Sequence, residues 1–321
     1  MYVFCLDLSR AFDKLQHHRL VNYLAECGFN HGFLKWLLSY LSLRTMNVKI
    51  MNSLGPTVEI PSGVPQGSVL GPLLFAAYMG SVNFSFRNVK CVKYADDVTL
   101  IESLLRNQSS CVSLDACASL FNEKGLTLNR SKCKHLTFCR SVTSNVTQDC
   151  GFVLVNSVTI LGVEFSDNFK WDNHVSSIIR TASRRLYIIR RLKEFMIVSE
   201  VIRVYHSIVT SILLYASPVY GRLPQKLLSK LDRFQKRAHR IVCGPDCQCD
   251  RFPSLSVKFE EVAVKLLLDS EGNFEHVLHD FVPERLPASN RLRMPFCSTN
   301  RRQNAFVPWA TELYNSTFID Y

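Results

Sequence analysis

Three aspartates carry the clearest capacity for chemistry in this sequence. Asp7 closes an apolar run from Val3 to Leu8, and Asp96-Asp97 sit between the apolar runs Val89 to Tyr94 and Val98 to Ile101. Adjacent carboxylates at the tip of a strand pair repel one another, and a divalent cation removes that repulsion. Mg²⁺ takes one or two carboxylates together with phosphate oxygens, the composition of a phosphoryl-transfer site. Two such ions ~3.5–4 Å apart serve the attacking and the leaving oxygen of a displacement. Asp-Asp is also an ordinary surface turn, and taken alone that reading prevails. Asp7 competes in the same way with Asp13, which could cap a helix.

Strands have to bring these acids together. The run Val3 to Leu8 reads as a buried strand delivering Asp7 to its tip, and 89–101 as strand, turn and strand with Ala95-Asp96-Asp97 at the turn. Leu20 to Leu43 has helical spacing with a break near Gly28 to Gly32, and Val48 to Ile60 reads as a hairpin around Gly55-Pro56. A loop, Pro61 to Gly67, leads into a helix from Ser68 to Tyr78. Another helix spans Ser109 to Lys124 and stops at Gly125, as a C-cap. Strands near Lys134 to Cys139 and Thr159 to Phe165 end the alternating portion. From Asn173 to Val242 the pattern is helical only. The uncharged stretch Val204 to Gly221 is too polar and too broken for the ~20 apolar residues of a membrane span, and reads as a buried helix.

The neighbours of the acids decide their meaning. FCLDLSRAFD (Phe4 to Asp13), SGVPQGSVLGPLLF (Ser62 to Phe75), YADD (Tyr94 to Asp97), GLTLNRSKCKHLTF (Gly125 to Phe138) and ILGVEF (Ile160 to Phe165) follow one another in order. Together they resemble motifs A to E of the reverse transcriptases of non-LTR (LINE-type) retrotransposons, most closely over Tyr2 to Phe165. The resemblance implies an α+β, right-hand polymerase: a palm with an antiparallel sheet and helices, then an all-helical thumb, with the fingers largely absent. The divisions expected are 1–140 for a partial palm, 141–172 for primer-grip strands, 173–243 for a basic thumb and 244–321 for a C-terminal region of unassigned role. Because the family's fingers and endonuclease lie upstream of motif A, a truncated polymerase is expected, with its independent activity open.

The same resemblance implies roles. Asp7 and Asp96 hold two Mg²⁺ ions, which Mn²⁺ can replace, and Asp97 supports them. A primer 3′-hydroxyl attacks the α-phosphate of a dNTP opposite an RNA template. Phe12 matches a steric gate against the ribose 2′-OH, although an ordinary core Phe reads equally well there. Pro65, Gln66 and Gly67 match the turn that meets the nucleotide. Lys132 matches a general acid for pyrophosphate, with Lys134 as its rival and a simple counter-charge as its plainer role. Leu161-Gly162 matches the primer grip, or is a plain Gly bend in a strand.

Charge adds an independent pointer. The chain of 321 residues has a net charge of +11, and residues 173–243 hold 14 Lys plus Arg against three acids, which by itself gives +11. Arg180, Arg184, Arg185, Arg190, Arg191 and Lys193 fall on one expected helix. Lys226, Lys230, Arg233, Lys236, Arg237 and Arg240 recur at three- and four-residue spacing on another. With so few acids to pair with them, these rows suit the backbone of a template–primer duplex more than a merely solvated face. The twelve scattered Cys, and the lack of a signal peptide or membrane span, fit reduced thiols in a nuclear or cytoplasmic protein. Cys243, Cys247 and Cys249, with His239, His276 and His279, raise a zinc site, but buried thiols and surface histidines are the preferred reading. Two other functions share these features: a non-catalytic nucleic-acid-binding remnant of the same fold, and a two-metal nuclease.

Overall fold

The computed structural model describes all residues except 104–109, 139–149, 246, 248–250, 288 and 318–321. It is a mixed α+β chain that divides into two compact units, Met1–Phe169 and Lys170–Tyr321.

The first unit is built on β1 (Tyr2–Leu6), whose β-branched and aromatic residues suit a pleated, doubly covered strand. There follow α1 (Ala11–Lys14), α2 (His17–Glu26) and α3 (His31–Leu41), then four short strands, β2 (Thr45–Met46), β3 (Lys49–Ile50), β4 (Ser53–Leu54) and β5 (Val58–Glu59). Next are α4 (Leu70–Gly80), β6 (Val89–Tyr94), β7 (Asp97–Glu102), α5 (Leu114–Glu123), β8 (Lys134–Thr137), β9 (Val153–Leu154), β10 (Ser157–Ile160) and β11 (Val163–Ser166). The main sheet runs β6-β7-β1-β8-β9, antiparallel except for the last pair. Alternation along β1 divides the packing. Phe4 and Leu6 enter a core with Leu20, Leu37, Phe75, Tyr78 and Phe121 from the helices, whereas Val3 faces Leu136 and Val158, the latter on the β10–β11 hairpin.

Two expectations are corrected in this unit. The hairpin of 48–60 does not turn at Gly55-Pro56. Its inner pair, β3–β4, turns at Met51-Asn52, with Met51 at φ +53, and its outer pair is β2–β5. Gly55-Pro56 instead interrupts the returning strand, where the Gly55 N–H bonds the Val48 carbonyl at 2.7 Å. The 89–101 turn is also shorter than expected. Asp97 already pairs with Tyr94, leaving Ala95 and Asp96 as a two-residue turn.

The second unit is helical: α6 (Asp172–Leu192), α7 (Val198–Tyr205) running into a π-helical turn (His206–Thr210), α8 (Ser211–Leu214), α9 (Ser217–Tyr220), α10 (Gln225–Cys243), α11 (Leu255–Gly272), a 3₁₀ turn (His279–Phe281), α12 (Asn300–Gln303) and α13 (Phe306–Ser316). The expected single helix over 204–221 is broken. The chain reverses at Ala216, φ +52, and Pro218 opens α9, because proline is tolerated in a first turn and not in a helix interior. The described residues of 244–321 share the core of the preceding helices. Leu255, Phe259, Ala263, Leu267, Trp309 and Ala310 pack with Leu186, Ile189, Leu231 and Phe234.

Candidate active site

Strand register brings the three aspartates to the same end of the sheet. Leu6 pairs with Val98 across β1 and β7, so Asp7 and Asp97 occupy the next rung, and Asp96 stands beside them in the turn. Ala95 holds that turn at φ +50, a left-handed conformation unusual for a residue with a Cβ. Close to its turn the hairpin is anchored by Lys93, whose ammonium donates to the Met79 carbonyl at 2.9 Å and to that of Val82. Partial burial, then the charges of Asp96 and Asp7, push the Asp97 carboxyl above the usual carboxylate range. The donors of the three acids are carboxylate oxygens only, which suit a hard divalent cation such as Mg²⁺ or Mn²⁺, and a bound cation would offset their repulsion.

Lys132 reaches the same place by a different route. Residues 127–133 lie along the end of β1: Leu8 bridges Leu128, the Ser9 N–H donates to the Thr127 carbonyl at 2.8 Å, and the Asn129 N–H to the Asp7 carbonyl at 2.8 Å. A turn closed by Lys132 N–H on the Asn129 carbonyl, 3.0 Å, then sets the Lys132 ammonium 3.8 Å from Asp7 Oδ2. The rival Lys134 is exposed on β8, opposite Cys5.

The segment after Asp7 and the loop before α4 are stitched together. The Gly63 N–H donates to the Leu15 carbonyl at 2.7 Å, Val64 N–H to Phe12 at 3.0 Å, and Ser62 Oγ to the Asp13 carbonyl at 2.8 Å. Gly63 adopts φ +85, and a Cβ there would stand 2.7 Å from the Phe12 carbonyl oxygen. Only glycine allows this approach. Phe12 is half-buried, its ring stacked on Phe75 at 4.1 Å. Pro65 is half-buried, and Gln66 and Gly67 are exposed beyond it. Gln66 Nε2 donates to Asp13 Oδ1 at 2.8 Å. Asp13 therefore does not cap a helix. It sits inside α1 and orients Gln66, a role with no signature in the local sequence. His17 was likewise missed; its Nε2 lies 2.7 Å from the Gly63 carbonyl oxygen.

Leu161 and Gly162 form the tip of the β10–β11 hairpin at φ +46 and +81, so they are a hairpin turn and not a bend within one strand. A cleft lined by Leu6, Tyr94, Asp97, Thr159, Ile160 and Leu161 joins that tip to the carboxylates.

In the second unit Arg180, Arg184, Arg185, Arg190 and Arg191 are exposed on α6, and Arg233, Lys236 and Arg237 on α10, where Lys230 is half-buried. Several also serve the fold. Lys193 is half-buried and donates to the Ile241 carbonyl at 3.0 Å, and Arg237 donates to Ser183 Oγ at 3.0 Å. Those two contacts join α6 to α10. Arg185 donates to the Ile208 carbonyl at 3.1 Å, and Arg191 lies 3.9 Å from Glu194. Among the described residues no helix is long and apolar enough to cross a membrane.

Comparison with known proteins shows the family. The family model described as reverse transcriptase (RNA-dependent DNA polymerase) matches residues 1–165. The chain is 26% identical over 305 residues to the RNA-directed DNA polymerase from mobile element jockey of Drosophila funebris, covering 84% of this chain and 32% of that one. It is 26% identical over 266 residues to the probable RNA-directed DNA polymerase from transposon BS of Drosophila melanogaster, covering 75% of this chain and 28% of that one. It thus spans about a third of the length of the curated relatives it matches. A solved telomerase from Candida tropicalis, in complex with a fragment of telomeric RNA, covers 87% of this chain and 48% of that one. Its 10% identity and TM-score of 0.40 are too low to carry an argument.

Proposed function

The chain belongs to the reverse transcriptase (RNA-dependent DNA polymerase) family, with relatives among retrotransposon polymerases, and on that premise we propose that it adds deoxynucleotides to a primer 3′-hydroxyl on an RNA template. The observation that carries this reading is the meeting of Asp7, Asp96 and Asp97 at one strand end, with Lys132 3.8 Å from Asp7.

In this reading Met1–Phe169 is the palm, including the 141–172 primer-grip strands up to that boundary, and the helices of 173–243 are the thumb. Asp7 and Asp96 hold the metal ions and Asp97 supports them. When bound, Mg²⁺ activates the primer hydroxyl and neutralises charge on the phosphates. The residues of the chain supply position and proton control. Asp13 orients Gln66 toward the incoming nucleotide, and Pro65 and Gly67 shape the backbone beside it. The half-exposed Phe12 ring serves as the gate against a ribose 2′-OH. Lys132 is placed to protonate the leaving pyrophosphate or balance its charge. Leu161 and Gly162, across the cleft from Asp97, hold the primer end. The exposed arginines of α6 and α10 meet the duplex through its phosphates, which gives affinity without sequence specificity.

The test is primer extension with the purified chain, an RNA template, a DNA primer, dNTPs and Mg²⁺. Incorporation is expected to fall at least about 100-fold in Asp96→Ala, since several kcal/mol of charge stabilisation is removed. Duplex binding without incorporation would replace this reading with a non-catalytic binding module. Cleavage of nucleic acid without dNTPs would replace it with a nuclease.

A further inference from the structure

Helix α10 ends on Cys243, and Gly244, at φ +101, turns the chain while its N–H still reaches the Arg240 carbonyl at 3.1 Å. The reversal brings Cys247 back to the helix end, where His239 stands one turn before Cys243 on the same face. One imidazole nitrogen and two sulfurs thereby lie within 4.8 Å of one another, all on half-buried residues. With Zn–S of about 2.3 Å and Zn–N of about 2.0–2.1 Å, a tetrahedral zinc ion would draw such donors to separations of about 3.5–3.8 Å. The adjustment is small, and Cys247 lies outside any helix or strand.

We infer that His239, Cys243 and Cys247 form a zinc-binding site that fastens the end of α10 to the segment leading into α11. Thiolate and imidazole donors select zinc over the hard cations that suit the carboxylates of the first unit. The C-terminal end of a helix carries partial negative charge and favours a cation. Lys236 and Arg240 line the cleft beside His239, together with Gln235 and Phe252. Phe252 meets the His239 ring edge-on at 5.2 Å and restricts its orientation.

The two other histidines considered with this cluster are engaged elsewhere. His279 Nδ1 is 3.0 Å from the Ser270 carbonyl oxygen, and His276 Nδ1 accepts from the Leu278 N–H at 3.2 Å. Water or one more thiol would complete four-coordination; Cys249 lies outside the described residues. The sequence alone disfavours zinc because no second well-spaced pair of ligands is visible. Folding supplies what spacing does not: the reversal at Gly244.

The test uses the full chain, without a histidine tag and purified under reducing conditions. Elemental analysis is expected to find one zinc per chain. Cobalt(II) should give a thiolate charge-transfer band and the intense visible absorption of tetrahedral coordination. Cys243→Ser and Cys247→Ser should each lower metal retention by about tenfold or more, whereas Cys27→Ser, at an exposed thiol of the first unit, should retain it. Circular dichroism checks that the variants fold. A second measurement needs no variant: wild-type chain stripped by a chelator should gain thermal stability on adding zinc and not on adding magnesium. Metal content indifferent to both serine variants, or a stripped chain whose melting ignores zinc, would overturn the proposal.

Discussion

The Phe12 ring lies against Phe75 with 25° between the planes, so one of its faces belongs to the core while the residue stays half-exposed. Packing and the proposed nucleotide selection therefore do not compete at this position. Contact with the core fixes the ring, and a fixed ring can exclude a 2′-hydroxyl where a mobile one would swing aside. Phe12→Ala is expected to let ribonucleotides in, lowering the ratio of kcat/KM for dNTP over rNTP by about 10–100-fold, the scale of a lost steric contact. A purely structural Phe12 would behave differently, lowering kcat/KM for both substrates and leaving the ratio unchanged. Steady-state incorporation of matched dNTP and rNTP on one template separates the two.

Gly63 and Gly67 flank one turn and both have positive φ, yet they differ in what surrounds them. A Cβ on Gly63 would meet Phe12 and Asp13 backbone atoms at 2.7–2.9 Å, whereas one on Gly67 meets nothing within 4 Å. Gly63→Ala should thus cost about 2–4 kcal/mol, through strain plus a backbone clash that cannot relax. Gly67→Ala should cost only about 1–2 kcal/mol for the left-handed conformation. Urea unfolding of both variants measures the difference, and equal losses would mean that the stitching of this loop to α1 contributes little. Elements of this kind were partly legible in the sequence. The apolar run of β1, Asp7 at its end and the Gly125 stop of α5 follow from local pattern. The turn at Met51-Asn52 was hidden by the stronger Gly55-Pro56 signal, and the break at Ala216 by a stretch without charges that reads as one helix. The Gln66–Asp13 hydrogen bond spans 53 positions, and no periodicity reports it.

Charge is a property of the whole molecule that the fold sorts. Residues 1–172 hold 16 basic and 13 acidic residues and 244–321 hold 8 and 11, so the full excess of +11 rests on 173–243. The acidic tail folds into the same core as the basic helices, but its carboxylates are partly engaged. Glu271 holds Arg285 at 2.5 Å, Glu312 holds Arg222 at 2.5 Å, and Glu261 holds Lys258 at 2.6 Å. The exposed rows on α6 and α10 thus keep their positive field, and the Lys193 and Arg237 contacts set the two rows side by side. On α6, Arg180, Arg184, Tyr187 and Arg191 follow helical spacing along one face, with Arg185 and Arg190 flanking it on either side and the Arg191 guanidinium 5.9 Å from the Tyr187 ring. Such a face should bind duplex by releasing counterions, and each phosphate contact adds about 0.7–0.9 to the slope of log affinity against log salt. Changing Arg184, Arg185, Arg190 and Arg191 together to Gln should weaken binding to RNA–DNA duplex and flatten that slope by about 2–4. Changing Lys265 and Arg293, from the part of the chain where acids prevail, should leave it unaltered. Fluorescence anisotropy at several salt concentrations reads both. An unchanged slope in the quadruple variant would move the duplex off α6, wherever else the affinity resided.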